Sequence, residues 1–192
     1  MSMTVSQQRQ KTHPHKLLMY VAMGSIFMMF AGWISAFLVR EGQGRWAHLE
    51  LPTAFYVSTV LILASSFTMH MAIKAFKSKE LARFKSLFIL TMLLGAGFIV
   101  LQVFGFYQMY DNMGISWSDN NAAGEFTYAI PALHGVHVLG GVIAMLVYYL
   151  VLRFRRTRQS YSTTGAEIIA IYWHFVDALW IFIFLFLLFF QS

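Results

Sequence analysis

Five long apolar stretches, at about 17–39, 52–73, 86–108, 127–152 and 168–190, constrain this chain more than anything else in it. Each reaches the roughly 18 residues that a helix needs to cross about 30 Å of hydrocarbon. Inside a bilayer every backbone N–H and C=O must find a partner within its own segment, so stretches of this length fold as helices. Only 11% of the 192 residues are charged, against about 25% in a soluble domain. The sequence therefore predicts an all-α integral membrane protein, a bundle of five transmembrane helices over 17–192 behind a short tail at 1–16. The first apolar run is too long for a signal-peptide core and lacks a small-residue cleavage site, so it reads as a retained helix.

The charge balance of +6 would suit an acidic partner such as nucleic acid, but its distribution argues for membrane topology instead. Twelve of the fourteen Lys and Arg residues fall in the tail, in 74–85 and in 153–167. The intervening loop 109–126 and the C-terminus have none. That alternation matches five spans and predicts a cytoplasmic N-terminus and an external C-terminus. Short connections predict that consecutive helices pack as antiparallel neighbours. Small residues such as Gly24, Gly32, Gly95, Gly105, Ser65, Ser66 and Gly141 predict close helix contacts. The bulky ending "IFIFLFLLFF" predicts a fifth helix that turns much of its surface to lipid or to a partner subunit. The methionines, clustered as "YVAMGSIFMMF", read as packing residues, since Met fills irregular gaps. Trp117 suits a membrane interface. Glu167 reads as a partner of the fifth helix's N-terminal dipole, with Thr163 or Thr164 as the cap. Pro131 is placed in the first turns of the fourth helix, where its missing N–H costs little.

The absence of cysteine excludes disulfides and thiolate-ligated metal centres supplied by this chain. His13, His15, His48 and His70 lie in the tail, in a loop or near a helix end. Three histidines are deep. "ALHGVHVLGG" sets His134 and His137 three residues apart on one helical face, and "YWHFVDALW" does the same for His174 and Asp177. At about 1.5 Å of rise per residue, His137 and Asp177 both fall within about 5 Å of the midplane. A charge at that depth costs roughly 2.5–3.5 kcal/mol on insertion scales. Asp177 is therefore expected to accept hydrogen bonds from an imidazole of the fourth helix, or from nearby Tyr or Trp donors. Four readings of the cluster are open: an interhelix packing network, a lipid-headgroup or proton-relay role, a metal or haem site, and solute transport. Packing is favoured because polar groups commonly join membrane helices. No inverted repeat supports a stand-alone transporter.

The motifs "HGVHV" at 134–138 and "YWHFVDALW" at 172–180, with weaker support from "FAGWISAF" at 30–37 and "LQVFGFYQ" at 101–108, resemble subunit III of haem–copper respiratory oxidases in its five-helix bacterial form. The resemblance implies a non-catalytic subunit of the bacterial inner membrane, bound beside subunit I together with subunit II and other small subunits. It implies no redox centre in this chain, haem and copper in the partner subunits, bound phospholipid, and support of proton uptake and of subunit I during turnover. His134, His137, Trp173, His174, Asp177 and Trp180 match the family's signature residues, with a lipid-binding or interhelix role. A quinol oxidase subunit III or a nitric-oxide-reductase accessory protein are the alternatives within the superfamily. Two positions depart from the family pattern: Ile26 and Gly105 stand where members commonly carry glutamate. Longer members also have two further N-terminal helices. Asp177 is then the acid left deep in the bundle.

Overall fold

The computed structural model describes residues 14–42, 51–113, 122–154 and 163–190, and among them every regular element is an α-helix. The elements are α1 (Pro14–Glu41), α2 (Thr53–Lys77), α3 (Leu81–Met113), α4 (Ala122–Phe154) and α5 (Thr163–Phe189). All five are long and apolar enough to cross a membrane. The tail through residue 13, Trp117, His48, Arg45 and three of the four basic residues of the 153–167 loop fall outside the described residues, as do the side chains of Thr163 and Thr164.

Helices α2, α3, α4 and α5 close a four-membered ring of neighbours, each packing on the next and α5 on α2. Helix α1 does not follow that order. It packs on α4 and α5 and makes no close backbone approach to α2 among the described residues, so the expectation that every consecutive pair is adjacent fails at the first connection. The reason is that α2 has already committed its apolar and small faces: one to α3 through a three-residue turn, the other to α5.

That turn is a Schellman closure. Glu80 N–H donates to the Ala75 carbonyl and Lys79 N–H to the Phe76 carbonyl, both at 3.0 Å. Lys79 takes the left-handed position with φ 63°, where glycine is usual. Phe76, Phe84 and Phe88 then stack in sequence across it, with ring centroids 4.7 and 5.2 Å apart.

The centre of the ring is aromatic and held close by glycine. Trp173 of α5 is fully buried, and a Cβ added at Gly95 of α3 would come within 2.5 Å of its Cη2, or at Gly141 of α4 within 3.0 Å of its Cε3. The indole therefore lies in a socket that only glycine leaves open. Phe55 of α2 occupies the corresponding space beside Gly105, where a Cβ would stand 2.5 Å from its Cε1. Gly24 and Gly32 on α1 behave differently, with nothing within 4 Å of an added Cβ; they mediate no approach within this chain.

The distal half of α5 is divided: Phe182, Leu185 and Phe189 face outward, while Ile183, Phe184 and Leu187 are buried, because α1 and α2 close over that side through Phe37 against Phe186 and Tyr56 against Phe184, at 4.9 and 5.2 Å. Two further expectations are corrected. Pro131 sits inside α4 rather than in its first turns, since the helix begins earlier than hydropathy suggests. Glu167 is past the first turn of α5 and forms ion pairs instead, at 2.8 Å with Lys16 and 3.5 Å with Lys77. These contacts bring the start of α1, the end of α2 and the start of α5 to one face of the bundle.

Candidate functional site

The six signature residues divide between two environments. On α5, the seven-residue interval between Trp173 and Trp180 is two helical turns, so both indoles point into the ring. Each finds an acceptor on α2. Trp173 Nε1 donates to Ser65 Oγ at 3.1 Å, and Trp180 Nε1 donates to Thr59 Oγ1 at 3.0 Å. Beside them the Ser66 hydroxyl and His174 Nδ1 share a hydrogen bond of 2.7 Å. Because α2 and α5 run antiparallel, these contacts descend α2 as they ascend α5. Gln102 of α3 extends the network by donating from Nε2 to Ser58 Oγ at 3.0 Å, and the Thr68 and Thr91 hydroxyls join α2 to α3 at 2.8 Å.

The histidines of α4 do not meet Asp177. His134 is fully buried between Trp180, Phe98 and Phe30, with ring centroids 5.0, 5.8 and 6.4 Å away. Neither of its ring nitrogens has a hydrogen-bond partner among the described residues. His137 bonds its own helix, Nδ1 donating to the Leu133 carbonyl at 2.7 Å. What joins α4 to α5 is Tyr172, whose hydroxyl donates to the His137 carbonyl at 2.9 Å. Asp177 is 2% exposed. Neither of its carboxyl oxygens closes a hydrogen bond among the described residues. The His-to-Asp link expected between α4 and α5 is thus replaced by Trp-to-hydroxyl links between α5 and α2.

The chemistry of this arrangement is that of packing joined by hydrogen bonds. Among the described residues no group of three or more His, Asp or Glu side chains is placed to hold a metal ion. The partners that sequence reasoning passed over are Ser58, Thr59, Ser66, His70 and Gln102. The signal for α5's partners was present in α2, where hydroxyls at 59, 65 and 66 recur at helical spacing on the face that meets α5, while Ser58 turns to Gln102 of α3. Small size and polarity look alike in a sequence, and Ser65 and Ser66 read first as small residues.

The description of this family's model, cytochrome c oxidase subunit III, matches residues 42–192. The chain belongs to the cytochrome c oxidase subunit III family. Curated relatives agree. It is 32% identical over 167 residues to "Probable cytochrome c oxidase subunit 3" of Nocardia farcinica, covering 83% of this chain and 79% of that one. It is 28% identical over 170 residues to "Cytochrome c oxidase subunit 3" of Bacillus sp. strain PS3, covering 86% and 80%. Corynebacterium diphtheriae has a protein of the same name that is 29% identical over 173 residues, covering 85% and 82%. As a subunit III family member with five spanning helices, this chain is a multi-pass membrane protein and a subunit of a terminal oxidase. Family membership also gives the glycine at 105 a physical context: Phe55 fills the space beside it, so a longer side chain there would displace an aromatic ring of the core.

Proposed function

We propose that this chain is the non-catalytic subunit III of a proton-pumping terminal oxidase of the aerobic respiratory chain in a bacterial inner membrane. It stabilises subunit I, holds structural phospholipid and supports proton uptake, while haem and copper reside in the partner subunits and oxygen is reduced there. The single observation that carries this reading is the family match across 42–192. Cytochrome c is favoured over quinol as the electron donor because the relatives' names specify it.

In this reading Trp173, Trp180, His174, Asp177, His134 and His137 serve the subunit by fixing one register of the bundle. Bound lipid is supported by the grooves that flank α1. One, of about 250 Å³, lies between α1 and α5 and is lined by Phe27, Phe30, Ile34, Leu179 and Phe182, a surface suited to an acyl chain. A cytoplasmic N-terminus is supported by the clustering of Lys74, Lys77, Lys79, Arg83 and Lys85 at the α2–α3 end, on the same face as the start of α1.

The test is affinity purification of the tagged full chain from its native membrane in mild detergent. Co-purification of a haem- and copper-bearing subunit, with phospholipid retained, is expected. A deletion strain should yield an oxidase that loses activity sooner during turnover. Recovery of the chain without any haem-bearing partner, together with solute flux in liposomes, overturns the proposal in favour of a transporter.

A further inference from the structure

Asp177 is carried near the middle of the bundle with no cationic partner among the described residues. An unpaired carboxylate there would be costly, so the group holds a proton. That proton must enter and leave by some route, and the surrounding side chains describe one. Ser66 shares a hydrogen bond of 2.7 Å with His174 Nδ1, and Asp177 follows His174 by one turn on the same face of α5. One turn along α2 from Ser66, the His70 ring centroid lies 6.5 Å from that of His174. His70 is exposed and lines a cavity of about 340 Å³ at the α2–α3 end, whose walls include Lys74, Ser78, Glu80 and Arg83.

We propose that His70, His174 and Ser66 form a one-ended proton path connecting the cavity at the α2–α3 turn to Asp177. The path goes beyond the subunit III assignment and does not depend on it, because it is built from this chain's own side chains. A proton arrives at His174 Nε2 from the direction of His70. The ring releases its Nδ1 proton to Ser66 Oγ, and the Ser66 hydroxyl, on turning toward α5's Asp177, passes its own proton to the carboxylate. Loss of the proton from Asp177 retraces these steps, and the imidazole and hydroxyl reset by rotation.

The path ends at Asp177. Beyond it on α5, Trp180 and Phe184 close the interior, and no charged residue stands between Leu17 and Val39 on α1. On α4, His134 is enclosed by aromatic rings and His137 bonds its own backbone. On α3, the facing residues are Gly95 and Phe98. From α2 come Ser66 and His70, with Lys74 at the cavity mouth.

The experiment is infrared spectroscopy of the purified complex containing the full chain, following hydrogen–deuterium exchange of the carboxylic acid band that Asp177→Asn removes. Ser66→Ala and His174→Phe are each expected to slow its exchange by at least about tenfold. Ser66→Thr, which keeps the hydroxyl, should exchange at the wild-type rate. His70→Leu changes an exposed residue that folding does not need, and it should slow exchange by a smaller factor. The proposal is overturned if no Asp177-dependent acid band exists, if exchange is unchanged in His70→Leu, or if Ser66→Thr is as slow as Ser66→Ala. Failure of co-purification with oxidase subunits would overturn the assignment of the assembly and leave these exchange rates to be read on the isolated full chain.

Discussion

Helices α1 and α5 are almost equally apolar, yet they play opposite parts. In the most apolar stretch of each, 6% of α1 residues are buried and 44% of α5 residues. Helix α5 sends Trp173, Val176, Asp177, Leu179, Trp180 and Ile183 into the bundle, whereas α1 buries Phe30 and Phe37 and leaves Met28 at 74% exposure. Lipid tails are as apolar as leucine, so hydrophobicity supplies no force that distinguishes a central helix from a peripheral one. What distinguishes them is fit. Helix α5 meets glycines shaped to its indoles and hydroxyls placed for its N–H groups. Within the methionine cluster of α1, Met29 packs against the core while Met28 faces away from the chain.

Removing the indole at 173 attacks the central helix where its fit is tightest, and it carries the largest expected effect. Trp173→Ala should cost about 3–5 kcal/mol, the range for emptying a large aromatic site that cannot collapse. The equivalent truncation on α1, Phe27→Ala, removes a ring that is 55% exposed and should leave stability nearly unchanged. Reversible unfolding in mixed micelles measures both. Equal losses at the two sites would break the distinction between centre and periphery.

The glycines offer a sharper version with a change of sign. Gly95→Ala places a methyl group 2.5 Å from Trp173 Cη2 and should destabilise by about 1–3 kcal/mol through overpacking. Gly24→Ala meets nothing within 4 Å and should stabilise α1 by up to about 1 kcal/mol through helix propensity. The same micelle titration reads the two opposite shifts.

Much of this architecture was legible in the sequence, and the places where it was not share a cause. The five spans are written in runs of apolar residues that water would not tolerate, so their number and approximate limits follow directly. Which helix faces which does not, because residues on every face of a membrane helix are apolar and the pattern loses its direction. Asp177 was expected to pair with α4, since "HGVH" holds the other deep histidines. The structure spends those histidines on aromatic contacts and on their own backbone, and it gives α5 its acceptors from α2. Serine and threonine carry little hydropathy signal, so Ser65 and Thr59 reveal their role only when Trp173 and Trp180 are set against them. Position 105 is similar: the sequence shows a glycine, while the reason for it is the ring of Phe55 on another helix.

Those hydroxyls supply the next test of α5 as the organising helix. Ser65→Ala leaves the Trp173 indole N–H without its acceptor in a fully buried site. Interhelix hydrogen bonds in membrane proteins contribute about 0.6 kcal/mol on average and reach about 1.7, and burial places this one toward the upper part of that range. A double-mutant cycle with Trp173→Phe isolates the bond from the packing. A coupling energy of zero would mean that the indole is held by its glycine socket alone.

The smallest effect concerns a polar contact that ties α1 to α5, a helix it packs against. Lys16 Nζ meets Glu167 Oε2 at 2.8 Å, and Lys77 reaches the other oxygen of the same carboxylate at 3.5 Å. The Lys16 and Glu167 side chains are 30% and 28% exposed, so solvent and salt screen them, and Lys16→Ala should have the smallest effect on stability of the substitutions considered. Raising ionic strength should erase most of that difference, because the interaction between exposed charges fades beyond about 10 Å at 0.1 M salt and weakens further as salt rises. Glu167→Gln should be felt more than Lys16→Ala, since it releases α1 and α2 together from the start of α5. If instead the two substitutions are equal at low salt, Lys77 contributes nothing, and α1 is held to the bundle by Phe30 and Phe37 rather than by charge.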